Sequence, residues 1–333
     1  MLKKKYIIIL IIFFTLNILS FFPLINKHLL TALIYLKISK NVIVENNIDQ
    51  TLENLHNFII FNVDKNLDSK FYPVFDKYTY NSLIDGFTDC SGSAAIYLWI
   101  LMFLNINSEL VPLYDSEYNK SPHTILSAKI NDKSFIIDPL YNFTFFNENL
   151  DFAKLNDICD KKINTKQLNL LNHEDYNFFK NFCFLKTSSM RASYKIPSFV
   201  FTLIRYTPNF YIDFVIKNSI NVKYYNNNYL KGRVYYIIGK YEKALKAFHK
   251  VQESQIIYYD FFEGIDETVN DYEINNLKKL SVQDLAIYYK TLINIKINDQ
   301  LYYGDFNNNH LHMRYLNFLQ SYNLQTNIRN IVK

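Results

Sequence analysis

Apolar residues are distributed along this chain in distinct patterns, each predicting a different kind of element. The first is a block. From Tyr6 to Asn26 no charged residue occurs, and Ile, Leu and Phe dominate. A charge-free apolar run of about 20 residues is long enough to cross a bilayer as a helix. Lys3, Lys4 and Lys5 precede it, and flanking basic residues stay on the cytosolic side. The pattern predicts a single-pass membrane protein with its amino terminus in the cytosol and the remaining chain on the periplasmic or extracellular side. Residues 1–26 also admit a cleaved signal segment. Against that reading stand the bulk of the apolar stretch and Ile18, two places before Ser20 where a small residue is expected.

The second pattern has the period of a helix. In residues 51–63, Leu52, Leu55, Phe58 and Ile59 fall on one face, which predicts a helix leading into a core. Residues 91–104 are long, apolar and free of proline, and predict a buried helix that begins at or near Cys90. Residues 122–130 and 133–138 are short β-prone runs joined by Asn131-Asp132, a pair suited to a two-residue hairpin turn. Such a turn pairs Ile130 with Lys133. Continued outward, that register sets His123 opposite Leu140 and Asp138 opposite Ile125, so His123 and Asp138 share a face. One further residue in the loop would place them on opposite faces. Residues 151–200 are polar and mixed, with no clear period.

From about Ser219 the pattern turns helical again. Residues 229–248 resemble a tetratricopeptide repeat: Gly232 and Ala244 stand where small residues let two helices approach, Gly239 makes the turn, and Tyr235, Tyr241 and Phe248 are the packing residues. Residues 285–295 are a candidate degenerate neighbour. One repeat cannot bury its apolar face alone, so it must stack on flanking helices or on another part of the chain. The segment offers a surface for a protein partner, or it is an ordinary helical hairpin.

The 333 residues suffice for one anchor and about two further domains. The expected division is an anchor or signal segment over 1–26, an α+β domain over 27–200 with its core at 75–145, and a helical region over 201–333. A net charge of +5 without basic clusters gives no footprint for nucleic acid. Three cysteines are too few for a disulfide framework; in an oxidising compartment Cys159 and Cys183 could pair and leave Cys90 as a thiol. No cofactor motif is present. His310-Leu-His312 would put two imidazoles on one face of a strand, but no third ligand is near and the surrounding asparagines favour a helix start, so no metal is assigned. Asn142-Phe-Thr144 is a glycosylation sequon that chance explains.

The candidate chemistry lies between residues 86 and 139. Cys90, His123 and Asp138 stand in chain order and supply a nucleophile, a base that takes its proton and a carboxylate that orients the base. A thiol at a helix start faces unpaired backbone N–H groups and the positive end of the helix dipole, and both favour thiolate. Ser91 and Ser93 lie beyond that start, and a neutral hydroxyl needs more activation than a thiol. The Cys90 backbone N–H is a natural oxyanion donor, with Tyr78 and Tyr80 as candidates for a second.

Over roughly residues 75–145 these features resemble the transglutaminase-like superfamily of cysteine enzymes, in which a cysteine opens the core helix after a glycine-containing turn and histidine and aspartate sit on adjacent strands. Asp89 before Cys90 is similar to bacterial members. Thr124 and Ile125 follow the histidine where many relatives carry an aromatic residue, which implies a different substrate groove. The resemblance implies a papain-like fold with Cys90, His123 and Asp138 as catalytic residues, and an acyl-enzyme made from an amide or peptide carbonyl and resolved by water or an amine. The substrate would be a protein or peptide. Two alternatives share these residues: a catalytically silent anchored binding protein that uses its helical repeat, and a thiol acyltransferase with a small-molecule acyl donor.

Overall fold

The computed structural model describes residues 23–44, 47–65, 83, 86–88, 90–114, 123–130, 133–139, 141–159, 162–168, 184–185, 190–192, 227–251, 282–298 and 309–332. The chain divides into two compact units: Met1–Ile38 with Ile196–Leu311, and Ser39–Lys195 with His312–Lys333. The carboxy-terminal residues from His312 group with the sheet-bearing unit. The architecture is α+β.

Helix α1 (Pro23–Val42) takes up the end of the amino-terminal apolar run, so residues 23–26 belong to a helix that continues well past Lys27. The rest of that run lies outside the described residues. Among the described residues no helix is long and apolar enough to cross a membrane. Helix α2 (Ile48–Asn62) begins where the Asn47 side chain accepts the Gln50 N–H, an N-cap that satisfies one otherwise orphaned donor. Its buried stripe contains Leu52, Leu55 and Ile59, as the period predicts, and also His56, whereas Phe58, expected on the same face, is only half-buried. Strands β1 (Asp64–Lys65) and β2 (Phe87–Thr88) form a short parallel pair.

Helix α3 (Cys90–Phe103) starts at the cysteine. Ala94, Ile96, Tyr97, Ile100 and Leu101 are buried, and burial on several sides explains a sequence apolar almost all round. It ends in a Schellman turn: Asn105 adopts φ 57°, its N–H donates to Met102, and the Ile106 N–H donates to Leu101. That turn feeds β3 (Asn107–Tyr114), against which α3 packs, as it does against β4 (His123–Ile130).

With β5 (Lys133–Asp138), β6 (Phe143–Thr144), β7 (Phe184–Leu185) and β8 (Met190–Ala192), these strands form a six-stranded antiparallel sheet in the order β6-β5-β4-β3-β7, with β8 also on β3. The β4–β5 register runs from Ile130 opposite Lys133 to Leu126 opposite Ile137, the pairing expected of a two-residue turn. Val111, Leu113, Ile125 and Ile136 lie on one face of three adjacent strands and bury themselves with Phe145, Ala153, Ile158 and Ile163. Each of the Val, Leu, Ile and Phe side chains among them contributes about 1.5–3 kcal/mol by leaving water. Ile158 belongs to α4 (Leu155–Cys159) and α5 (Thr165–Leu168) follows, so the region without a clear period holds, among its described residues, these two short helices and the strands β7 and β8. The last helix of the chain, α9 (Asn309–Val332), brings Phe318 and Tyr322 against Phe61 of α2.

The other unit contains α6 (Asn227–Ile237), α7 (Tyr241–Phe248) and α8 (Val282–Asn298), which pack on one another. Gly239 turns the chain between α6 and α7 at φ 77°. A β-carbon on Gly232 would stand 2.4 Å from Cε1 of Phe248, so only glycine allows the two helices this approach. Packing falls on different aromatic residues from those expected. Phe248 is buried, but Tyr235 and Tyr241 are only half-buried; Tyr229, Tyr236 and Tyr289 fill the centre. Arg233 is also fully buried there, its guanidinium carbon 3.8 Å from the Tyr289 ring centroid, a cation–π contact in a desolvated setting. Residues 285–295 lie within the single helix α8, which covers the hairpin.

Candidate functional site

The apolar face of the sheet ends in a polar pair. His123 opens β4 opposite Leu113, Asp138 closes β5 opposite Phe143, and both side chains are buried. His123 Nε2 lies 2.9 Å from Asp138 Oδ2. The other carboxylate oxygen, Oδ1, accepts the Tyr141 N–H at 3.0 Å. With the carboxylate as acceptor at both oxygens, Nε2 carries a proton, and the ring nitrogen able to take one from a nucleophile is Nδ1. The strand pairing expected from Asn131-Asp132 therefore delivers the two residues to one place, although those turn residues themselves lie outside the described ones.

Cys90 is the first residue of α3, at the helix start where backbone N–H groups and the helix dipole favour an anion. By the 3.6-residue period, positions 90, 93 and 97 lie along one side of the helix. That side is tied to the segment following Asp138. Ser93 Oγ donates to the Pro139 carbonyl at 3.1 Å, and Tyr97 donates its O–H to Asn142 Oδ1 at 3.1 Å. Cys90 thus begins the helix one turn before an anchor on the residue adjacent to Asp138. Ser93, weighed as an alternative nucleophile, is fully buried and its hydroxyl is committed to that carbonyl.

A second polar cluster joins α2 and α3 to the segment that follows Asp138. His56 Nδ1 is 2.8 Å from the Tyr97 hydroxyl, and its Nε2 is 3.0 Å from Thr144 Oγ1. All four residues of this cluster, His56, Tyr97, Asn142 and Thr144, are buried. Burial first, and then the negative charge of Asp138, hold the Tyr97 phenol well above its ordinary value, so it is a neutral hydroxyl. Asn142, at φ 55°, and Thr144 thereby have structural employment, and the buried sequon is not an open glycan acceptor. The one sequence clue was a histidine on the apolar stripe of α2.

Tyr78, Tyr80, Asp89 and Cys183 lie outside the described residues. His310 and His312 fall in the first turn of helix α9, not on a strand. Among the described residues no group of three or more His, Cys, Asp and Glu is placed to hold a metal ion. No family model matches the chain, and no curated protein or solved structure matches it significantly.

Proposed function

We propose that this chain is a transglutaminase-like cysteine enzyme that cleaves or transfers an amide or peptide acyl group, with Cys90 as nucleophile, His123 as base then acid, and Asp138 orienting His123. The observation that carries the reading is the buried 2.9 Å pair of His123 and Asp138, whose strand β4 packs against the helix that Cys90 opens. A buried histidine and carboxylate at a sheet end serve structure equally well. Their association with a helix-start cysteine, tied through Ser93 to the residue after Asp138, favours chemistry.

In this mechanism the Cys90 thiol gives its proton to His123 Nδ1 as sulfur bonds to the substrate carbonyl carbon, and the carbonyl π electrons move to oxygen. Collapse of that oxyanion breaks the carbon–nitrogen bond, and the leaving amine takes the proton from His123. The thioester is then attacked by water or an amine, whose proton passes to His123 and back to sulfur as the thiol leaves. Asp138 keeps the proton on Nε2 throughout and so keeps Nδ1 available.

We place this chemistry outside the cytosol, with residues 1–26 holding the chain in a membrane. On that reading the full chain stays with membranes after a carbonate wash, and deletion of residues 2–22, which leaves α1 whole, releases it. The test of the enzyme is labelling with an electrophilic amide probe. Expected is a single adduct on Cys90 that His123→Ala prevents; equal labelling of Cys90 with and without His123 overturns the triad.

A further inference from the structure

The four-residue cluster of His56, Tyr97, Asn142 and Thr144 has a definite polarity. The Tyr97 hydroxyl owns one proton and donates it to Asn142 Oδ1, so at its 2.8 Å contact with His56 Nδ1 it must accept. His56 is then protonated on Nδ1. In its neutral form Nε2 is an acceptor, and the Thr144 hydroxyl 3.0 Å away donates to it. The chain of donors runs from Thr144 through His56 and Tyr97 to Asn142, and it links three elements: helix α2, the cysteine helix α3, and the turn and strand that follow Asp138.

Apolar side chains would hold these elements together as tightly, but apolar attraction is non-directional and selects a setting only through packing. Hydrogen bonds are directional, since they weaken steeply away from linearity. Buried polar groups are costly unless all are satisfied, so such a cluster selects one setting of the helix over its neighbours. Tyr97 stands seven residues after Cys90, close to two turns and about 10 Å along the helix. A setting fixed at Tyr97 is therefore transmitted along a rigid rod to the position of the thiol.

We infer that His56 and Tyr97 are positioning residues for the thiol site, fixing the rotation and height of the Cys90 helix against the strand end that carries Asp138. The inference rests on the reading of Cys90, His123 and Asp138 as an active triad. Neither residue takes part in a proton transfer with substrate; each acts through the placement of Cys90 relative to His123.

The test follows the rate of Cys90 alkylation by iodoacetamide against pH in the full chain, with adducts located by mass spectrometry. Wild type is expected to have its midpoint below the ordinary cysteine value of about 8.5. Tyr97→Phe, which keeps the ring, and His56→Leu, which keeps the volume, should move that midpoint back up by about one unit, a tenfold slower reaction near pH 6. His56→Gln offers a donor to Tyr97 and an acceptor to Thr144, and should restore the rate to within about threefold of wild type. Melting temperature falls in all three and decides nothing. If His56→Leu does not fold, Tyr97→Phe decides alone. A folded Tyr97→Phe with the wild-type midpoint overturns the inference, as does a His56→Gln as impaired as His56→Leu, because packing would then be the whole effect. If wild type itself has an ordinary midpoint that His123→Ala leaves unmoved, the triad reading has failed, an outcome distinct from the failure of the positioning role alone.

Discussion

Asp138 holds His123 from a carboxylate oxygen 2.9 Å from Nε2, while its second oxygen is occupied by a backbone N–H. This double commitment makes asparagine a poor replacement. If the amide oxygen faces His123, its NH2 meets the Tyr141 N–H, donor against donor in a buried place. If the amide is flipped, NH2 faces Nε2 and drives the ring proton to Nδ1, the nitrogen that accepts from the thiol in the proposed mechanism. Asp138→Asn should therefore fold but lose about two to four orders of magnitude in turnover, keeping a residue of activity. Cys90→Ala and His123→Ala should each abolish it, with the double variant no worse than either. Amide hydrolysis and amine incorporation measured on all four proteins check this; wild-type rates in Cys90→Ala sink the mechanism.

What could be read in the sequence followed how locally each feature is determined. The hairpin register was legible because a two-residue turn leaves only one pairing, and pairing alone decides which residues share a face. The start of α3 at Cys90 was legible from an uninterrupted apolar run. The His56 cluster was not, because Thr144 lies 88 residues from His56 and nothing local marks either as a partner. The helical region shows an intermediate case. Gly232 was identified by its smallness and Gly239 by its turn, yet the choice of Tyr236 over Tyr235 for the interior depends on how α8 lies across the hairpin, which a repeat pattern does not encode.

The Gly232 approach should be testable as a steric fact. Phe248 is buried, stacks on Tyr289 and lies against Tyr229, so its ring has little room to retreat from a new methyl group. Gly232→Ala gains helix propensity but should destabilise the protein by about 1–3 kcal/mol through overpacking. Replacing the ring with a smaller side chain removes the clash, so Gly232→Ala combined with Phe248→Leu should be more stable than the sum of the two single losses by about 1 kcal/mol or more. Urea midpoints of the four proteins give the cycle. Strict additivity means that the helices move apart freely and that the glycine is not required.

Buried phenols make stability depend on alkaline pH. Burial holds Tyr97 and Tyr236 well above the ordinary tyrosine value of 10.0. For Tyr97 the Asp138 charge adds to that shift, whereas for Tyr236 the nearby Arg233 opposes it. In the unfolded chain these phenols ionise near 10, while in the native protein they stay protonated. The unfolded state therefore binds fewer protons above that pH, and stability falls as pH rises. The stabilisation is fully present below about pH 10 and is lost above it, at up to about 1.4 kcal/mol per pH unit for each tyrosine. Tyr97→Phe and Tyr236→Phe should each flatten the decline between pH 10 and 11.5, and the double variant should flatten it further, whatever each costs at neutral pH. Denaturant unfolding at a series of alkaline pH values measures the slope directly. An unchanged slope in Tyr97→Phe would mean that this hydroxyl ionises as readily in the native protein as in water, and would overturn the prediction.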